Sequence, residues 1–140
     1  MAAPPRFHLA FPVRNLSEAR EFYGRLLGCP EGRSSRDWVD FDFFGHQIVA
    51  HLTASPPEHK SHNIVDGEEV PVRHFGVILA PDDWRKLADR LRALGMRFIV
   101  EPQTRFRGEA GEQQTFFIND PSGNALEFKA FADETKIFAK

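Results

Sequence analysis

Two stretches of this chain repeat one another, and an internal repeat restricts a fold more than any composition does, because each copy must be a unit that packs in the same way. The first copy opens with Phe7-His8-Leu9-Ala10-Phe11-Pro12-Val13 and runs through a helical pattern to Leu27-Gly28. The second opens with His74-Phe75-Gly76-Val77-Ile78-Leu79 and runs through a helical pattern to Leu94-Gly95. His8 and His74 are 66 positions apart and Gly28 and Gly95 are 67, so one inserted residue aligns the copies. In the first helix Leu16, Ala19, Phe22, Tyr23, Leu26 and Leu27 recur at three- and four-residue steps, with Asn15 or Ser17 able to cap the start. In the second, Trp84, Leu87, Ala88, Leu91 and Leu94 make the stripe and Asp82 can cap it. Gly28 and Gly95 suit the left-handed position that closes a helix. Both patterns predict amphipathic helices lying on a sheet.

Strand patterns follow each helix. Trp38 to Phe44 and Gln47 to Thr53 flank a Gly45-His46 turn; in the second half come Phe98 to Glu101, Thr115 to Asn119 and Ala125 to Phe131. Asp120-Pro121-Ser122-Gly123-Asn124 between the last two is a strong turn signal. Each half therefore reads as strand, helix, then two or three strands, an α+β chain. The halves span about 6–54 and 74–131. Residues 55–73, rich in Pro, Glu and His, read as a connector with a turn at Asp66-Gly67, and 132–140 as a tail.

Composition narrows the function classes. A chain of 140 residues with 14 phenylalanines has enough apolar material for one domain core, and its single cysteine, Cys29, cannot form an internal disulfide and is compatible with a reducing compartment. A formal charge of −2 without a basic run gives no footprint for nucleic acid. No apolar run approaches a membrane span and the start has no signal segment, so a cytoplasmic location is expected.

Strand alternation decides which side chains can meet. Phe7, Leu9, Phe11 and Val13 form one apolar face, which leaves His8 on the other; Phe75, Val77 and Leu79 leave His74; Ile48, Ala50 and Leu52 leave His51; Leu126 and Phe128 leave Glu127. If the apolar faces pack on the helices, His8, His51, His74 and Glu127 project from the concave side of one curved sheet. Three imidazoles and a carboxylate there would hold one divalent ion, with Zn, Ni, Fe and Mn all suited to imidazole.

The opening segment, Glu21-Phe22-Tyr23 with Leu26-Leu27-Gly28, and Asp120-Pro121-Ser122-Gly123-Asn124-Ala125-Leu126-Glu127 together resemble the vicinal oxygen chelate superfamily over residues 7 to 131. That superfamily includes glyoxalase I, extradiol dioxygenases, fosfomycin-resistance enzymes, methylmalonyl-CoA epimerase and bleomycin-binding proteins. The resemblance implies two βαβββ modules forming a curved mixed sheet around a metal-binding cleft, with ligands on the first and last strand of each module: His8, His51, His74 and Glu127. It also implies a small-molecule substrate with two neighbouring oxygens, and a homodimer. Where glyoxalase I has a glutamate on the fourth strand this chain has His51, which removes one base of a two-carboxylate proton shuttle. Dioxygenase chemistry on His8, His74 and Glu127 is therefore placed slightly ahead of a glyoxalase-like lyase or epimerase in which Glu127 or His51 moves the proton. A ligand-sequestering protein of the bleomycin-binding kind is the third reading.

Other residues fill out the expected site. The stretch Pro102 to Gln113 reads as a loop long enough to cover a cleft, in which Arg105 and Arg107 either clamp a substrate carboxylate or are solvated. Trp38 suits the core or a pocket wall, and Asp40 and Asp42 share the ligands' kind of face. His59 and His62 read as solvated connector, His46 as a turn residue and Cys29 as a bystander.

Overall fold

The computed structural model describes residues 4–54 and 61–140. The chain divides into two compact units, 1–58 and 59–140. His59 lies outside the described residues.

In the first unit β1 (His8–Val13) leads into α1 (Leu16–Ala19), which continues as a wider, π-type winding over Arg20–Leu26. Three strands follow, β2 (Glu31–Ser34), β3 (Trp38–Phe43) and β4 (His46–Leu52), in a mixed sheet of order β1-β4-β3-β2 with β1 parallel to β4. Asn15 is the cap: its side-chain oxygen accepts from the Glu18 N–H at 2.8 Å. Gly28 closes the helix at φ +76°, and the Cys29 N–H donates to the Tyr23 carbonyl at 2.9 Å. Ala19, Phe22, Tyr23 and Leu27 of the expected stripe are buried and Leu16 and Leu26 are half-buried, with Tyr23 wedged between Phe11 and Phe41 at ring-centroid distances of 5.2 and 5.5 Å.

The second unit repeats the plan. β7 (Phe75–Ile78) leads into α2 (Pro81–Ala93), then β8 (Phe98–Arg105), β9 (Gln113–Asn119) and β10 (Ala125–Phe131), in sheet order β7-β10-β9-β8 with β7 parallel to β10. Trp84 anchors the helix to the sheet: its indole N–H donates to the Phe128 carbonyl at 2.8 Å, and Phe116 stacks on Phe128 at 5.3 Å. The turn before β10 is organised by buried Asp120, whose Oδ1 accepts from the Ser122 and Asn124 N–H groups at 2.9 and 2.8 Å.

Four expectations are corrected. The apolar faces lie on two four-stranded sheets, one in each unit, rather than on one. Ala80 takes the N-cap position of α2, without a side-chain cap, and Pro81 opens the first turn, so Asp82 sits inside the helix and is not its cap. The stretch from Pro102 is not all loop: β8 runs to Arg105 and pairs it with Gln113, leaving only 106–112 as the connection. The connector contains a hairpin, β5 (Ser61–Val65) and β6 (Glu68–Val72), turning at Asp66-Gly67. Its Val70 packs with Val100 and Phe117, so the hairpin belongs to the second unit's core. Among the described residues no helix is long and apolar enough to cross a membrane.

Candidate functional site

The face of the second sheet turned away from α2 gathers the polar side chains. Glu127 pairs with Phe117 across β10 and β9, and with Gly76 across β10 and β7. It is 5% exposed, and its carboxylate is held from three directions. The Thr115 hydroxyl donates to Oε2 at 2.5 Å, His74 Nε2 stands 3.2 Å from Oε1, and Arg105 Nη1 is 3.8 Å from Oε2. Burial works to raise the Glu127 pKa, but the hydrogen bonds from His74 and Thr115 outweigh it and hold the carboxyl below its ordinary 4.5. The hydrogen bond to Glu127 in turn raises His74 above its ordinary 6.5, against the opposing effect of its own partial burial.

His74 is aimed by its other nitrogen. Nδ1 is 2.6 Å from the carbonyl of Pro71 in the hairpin strand β6. A carbonyl only accepts, so Nδ1 carries the proton and Nε2 is turned toward Glu127. The ring stands edge-on to Phe117 with centroids 4.8 Å apart. Gly76 permits the close approach of β7 to β10: a Cβ there would lie 1.5 Å from the Glu127 carbonyl oxygen. A cavity of about 210 Å³ opens beside the pair, lined by His74, Glu127, Lys129 and the β7 strand.

In the first unit the corresponding face carries His8. Its Nδ1 lies 2.8 Å from Gln47 Oε1, and the Gln47 amide nitrogen donates to Asp40 Oδ2 at 3.2 Å. The Asp40 contact fixes which end of the amide faces His8, so Nδ1 again carries the proton and Nε2 is the lone-pair nitrogen. Sequence reasoning missed Gln47 and gave Asp40 no role; neither has a motif, and only the pairing of Asp42 with Gln47 and Asp40 with Val49 brings them beside His8.

Register separates His51 from His8. His8 is paired with Gln47 and His51 with Pro12, four positions further along the parallel strands, or about 13 Å at the usual strand rise. In the second unit Leu126 pairs with Phe75 and Glu127 with Gly76; in the first, Ile48 pairs with Leu9 and Val49 with Ala10. The position matching Glu127 is thus Val49, which is buried, and not His51. The structure brings His74 and Glu127 together and does not bring His51 to His8. Among the described residues no three His, Cys, Asp or Glu side chains stand together closely enough to hold an ion.

The remaining candidates fall as follows. Trp38 is half-buried and paired with His51, on the His8 side of the sheet and outside the core, with the Arg33 guanidinium 6.0 Å from its ring centroid. Arg105 is 4% exposed and points into the Glu127 face, whereas Arg107 is exposed on the following loop. His62 is exposed on β5, 3.8 Å from Glu69. His46 accepts from the Phe7 N–H at 2.9 Å, a structural tie. Burial, with the Asp42 charge adding to it, pushes the Cys29 thiol up to about 12.

Residues 7–128 match the Glyoxalase/Bleomycin resistance protein/Dioxygenase superfamily. A glyoxalase/bleomycin resistance protein/dioxygenase from Alicyclobacillus acidocaldarius is 35% identical, with 96% of each chain covered and a TM-score of 0.81. The fosfomycin resistance protein FosX from Listeria monocytogenes is 18% identical over 97% of this chain and 100% of its own, at a TM-score of 0.69. A virulence protein from Salmonella typhimurium is 21% identical over 94% of this chain and 100% of its own, at 0.65. The last two likenesses are of fold. With the match spanning both copies of the repeat, the chain belongs to the glyoxalase, bleomycin resistance protein and dioxygenase superfamily.

Proposed function

We propose that this chain is a divalent-metal-dependent enzyme of the vicinal oxygen chelate type, acting on a small molecule that presents two neighbouring oxygens, with Fe, Ni, Zn or Mn held by His8, His74 and Glu127. The observation that carries this reading is the wiring of the imidazoles. His74 is tied at Nδ1 to the Pro71 carbonyl and His8 at Nδ1 to Gln47, so each ring is fixed from behind and directs its Nε2 away from that tie, which is how metal-ligating histidines are usually held. His74 Nε2 and Glu127 Oε1 stand 3.2 Å apart and share a proton as a hydrogen bond, a place that a divalent cation would take once that proton leaves. The donor set fits the group that the family implies.

A divalent ion bound there supplies a Lewis acid that polarises the substrate oxygens and stabilises negative charge developing on them. The chain's own residues do the rest. Thr115 occupies one oxygen of Glu127 and leaves the other facing His74, so the carboxylate is presented in a single orientation. The lowered pKa of Glu127 keeps it ionised at neutral pH, the form in which a carboxylate would hold a divalent ion. His51, exposed and beside Trp38 on the His8 side of its sheet, has no place in this ligand set; we assign it to proton transfer at the substrate.

Dioxygenase chemistry stands ahead of glyoxalase-type isomerisation because Val49 occupies the position that matches Glu127, leaving no second carboxylate there for a two-base shuttle. Two histidines and one carboxylate are the set that leaves open positions on non-haem Fe(II). Protein purified without chelator should contain one divalent ion per chain. H8A and E127A should lose it with unchanged far-UV circular dichroism; H51A should keep it and lose turnover. Full occupancy in H8A and E127A would overturn the assignment. For the reaction, an Fe(II) form offered catechols in an oxygen electrode is set beside a Ni(II) or Zn(II) form given methylglyoxal and glutathione; turnover in the second arm alone would reverse the order.

A further inference from the structure

We propose that Arg105 is an anion-binding subsite beside Glu127, and that the substrate class is therefore a small oxygenated acid whose carboxylate or phosphoryl oxygens sit on this guanidinium. The inference deepens the reading of the Glu127 face as the substrate site and rests on it only for the word substrate; the subsite itself is a property of the second unit. Arg105 ends β8, is 4% exposed, and lies with its guanidinium carbon 5.6 Å from the ring centroid of Phe117. Its Nη1 is turned to Glu127 at 3.8 Å, beyond hydrogen-bond distance. Its Nε and Nη2 are buried and have no hydrogen-bond partner among the described residues.

Those two nitrogens form one edge of the guanidinium. Their N–H bonds run side by side and match the two oxygens of a single carboxylate or phosphoryl group. Folded proteins seldom leave a buried donor unmet, and a charged one least of all. Glu127 cannot meet this need, since its oxygens are already engaged by Thr115 and His74 and it faces the other end of the group. Charge points the same way. Lys129 lies two residues along β10 on the Glu127 side and lines the cavity beside His74 and Glu127, so two permanent cations, Arg105 and Lys129, act on the one carboxylate. An oxyacid anion would complete both the hydrogen bonding and the charge.

The test uses the full-length chain labelled with nitrogen-15, titrated with inorganic phosphate and separately with acetate, while the arginine Nε–Hε resonances and the heat of binding are followed. A saturable shift of one Nε–Hε resonance is expected, absent in R105Q and retained in R107A. Phosphate alone, acetate alone or both producing it assigns phosphoryl, carboxylate or either group. R105Q should weaken Kd at least about tenfold, the loss of a charge-assisted hydrogen bond. The titration is run on chelator-treated protein and again after addition of Zn(II). Anion binding by a chain that takes up no Zn(II) when it is added would sink the metal assignment and leave this subsite standing; Zn(II) uptake with no anion effect in either arm would do the reverse. No shift with either anion in the wild-type chain, or equal binding in R105Q, overturns the proposal, and the wild-type titration decides it even if R105Q fails to fold.

Discussion

At the scale of single residues, Gln47 shows how little of a site needs to be chemically reactive. It touches Asp40 through one end of its amide and His8 through the other, so its work is to hold an imidazole in one tautomer and one direction. Replacing it by Leu should leave the fold and weaken divalent-metal affinity by about 10–100-fold, the usual cost of losing a partner behind a ligand; an unchanged Kd by competition with a chromophoric chelator would contradict that. Cys29 gives a prediction of opposite kind. Burial, aided by Asp42, lifts its pKa from 9.0 to about 12, so the thiol is unreactive in the native state. Because the folded pKa is the higher one, its contribution to stability is full below pH 9 and is lost as pH rises from there toward 12. Alkylation by iodoacetamide at pH 8 should be slow in buffer and fast in denaturant; equal rates would show that the thiol is not buried.

At the scale of elements, β7 and β10 are the pair on which the second unit's site depends, and Gly76 is the reason that they can meet. A methyl group there would lie 1.5 Å from the Glu127 carbonyl oxygen, so the strands would have to part. G76A should cost about 3 kcal/mol or more in denaturant unfolding, at or above the upper end of ordinary overpacking. It should also broaden or shift the His74 ring resonances, because the displaced strand begins next to His74; wild-type stability would show that the contact relaxes freely. The hairpin β5–β6 contributes at the same scale. Pro71 of that hairpin orients His74, and Asp66 at its turn accepts the Phe106 N–H at 3.1 Å, next to Arg105. Its strands read as a connector because only Val70 and Pro71 are buried on them, too few for a period of two to emerge from the Pro, Glu and His around them.

For the whole molecule, superfamily members often pair, and the proposal here is a homodimer. Sedimentation at micromolar concentration should give about twice the 16.0 kDa chain mass, and a value near the chain mass would count against it. The doubled βαβββ plan was legible from residues alone. Helix stripes at Phe22 and Tyr23 or Trp84 and Leu91, the turns at Gly28, Gly95 and Asp120, and the side of each strand on which His8, His51, His74 and Glu127 stand all follow from local periodicity. What the chain by itself could not determine is register. Alternation repeats every two residues, so a slip of two leaves every side chain on the same face and the pattern unchanged. His51 and Val49 are related by such a slip, and only the hydrogen-bonded pairing of β1 with β4 decides that Val49 matches Glu127. The same is true of Arg105: its loop-like neighbourhood gives no sign of burial, and only the β8–β9 pairing carries it into the Glu127 face. Sequence determines faces because they depend on neighbours along the chain; which residues share a site depends on partners far along it, which only the folded sheet brings together.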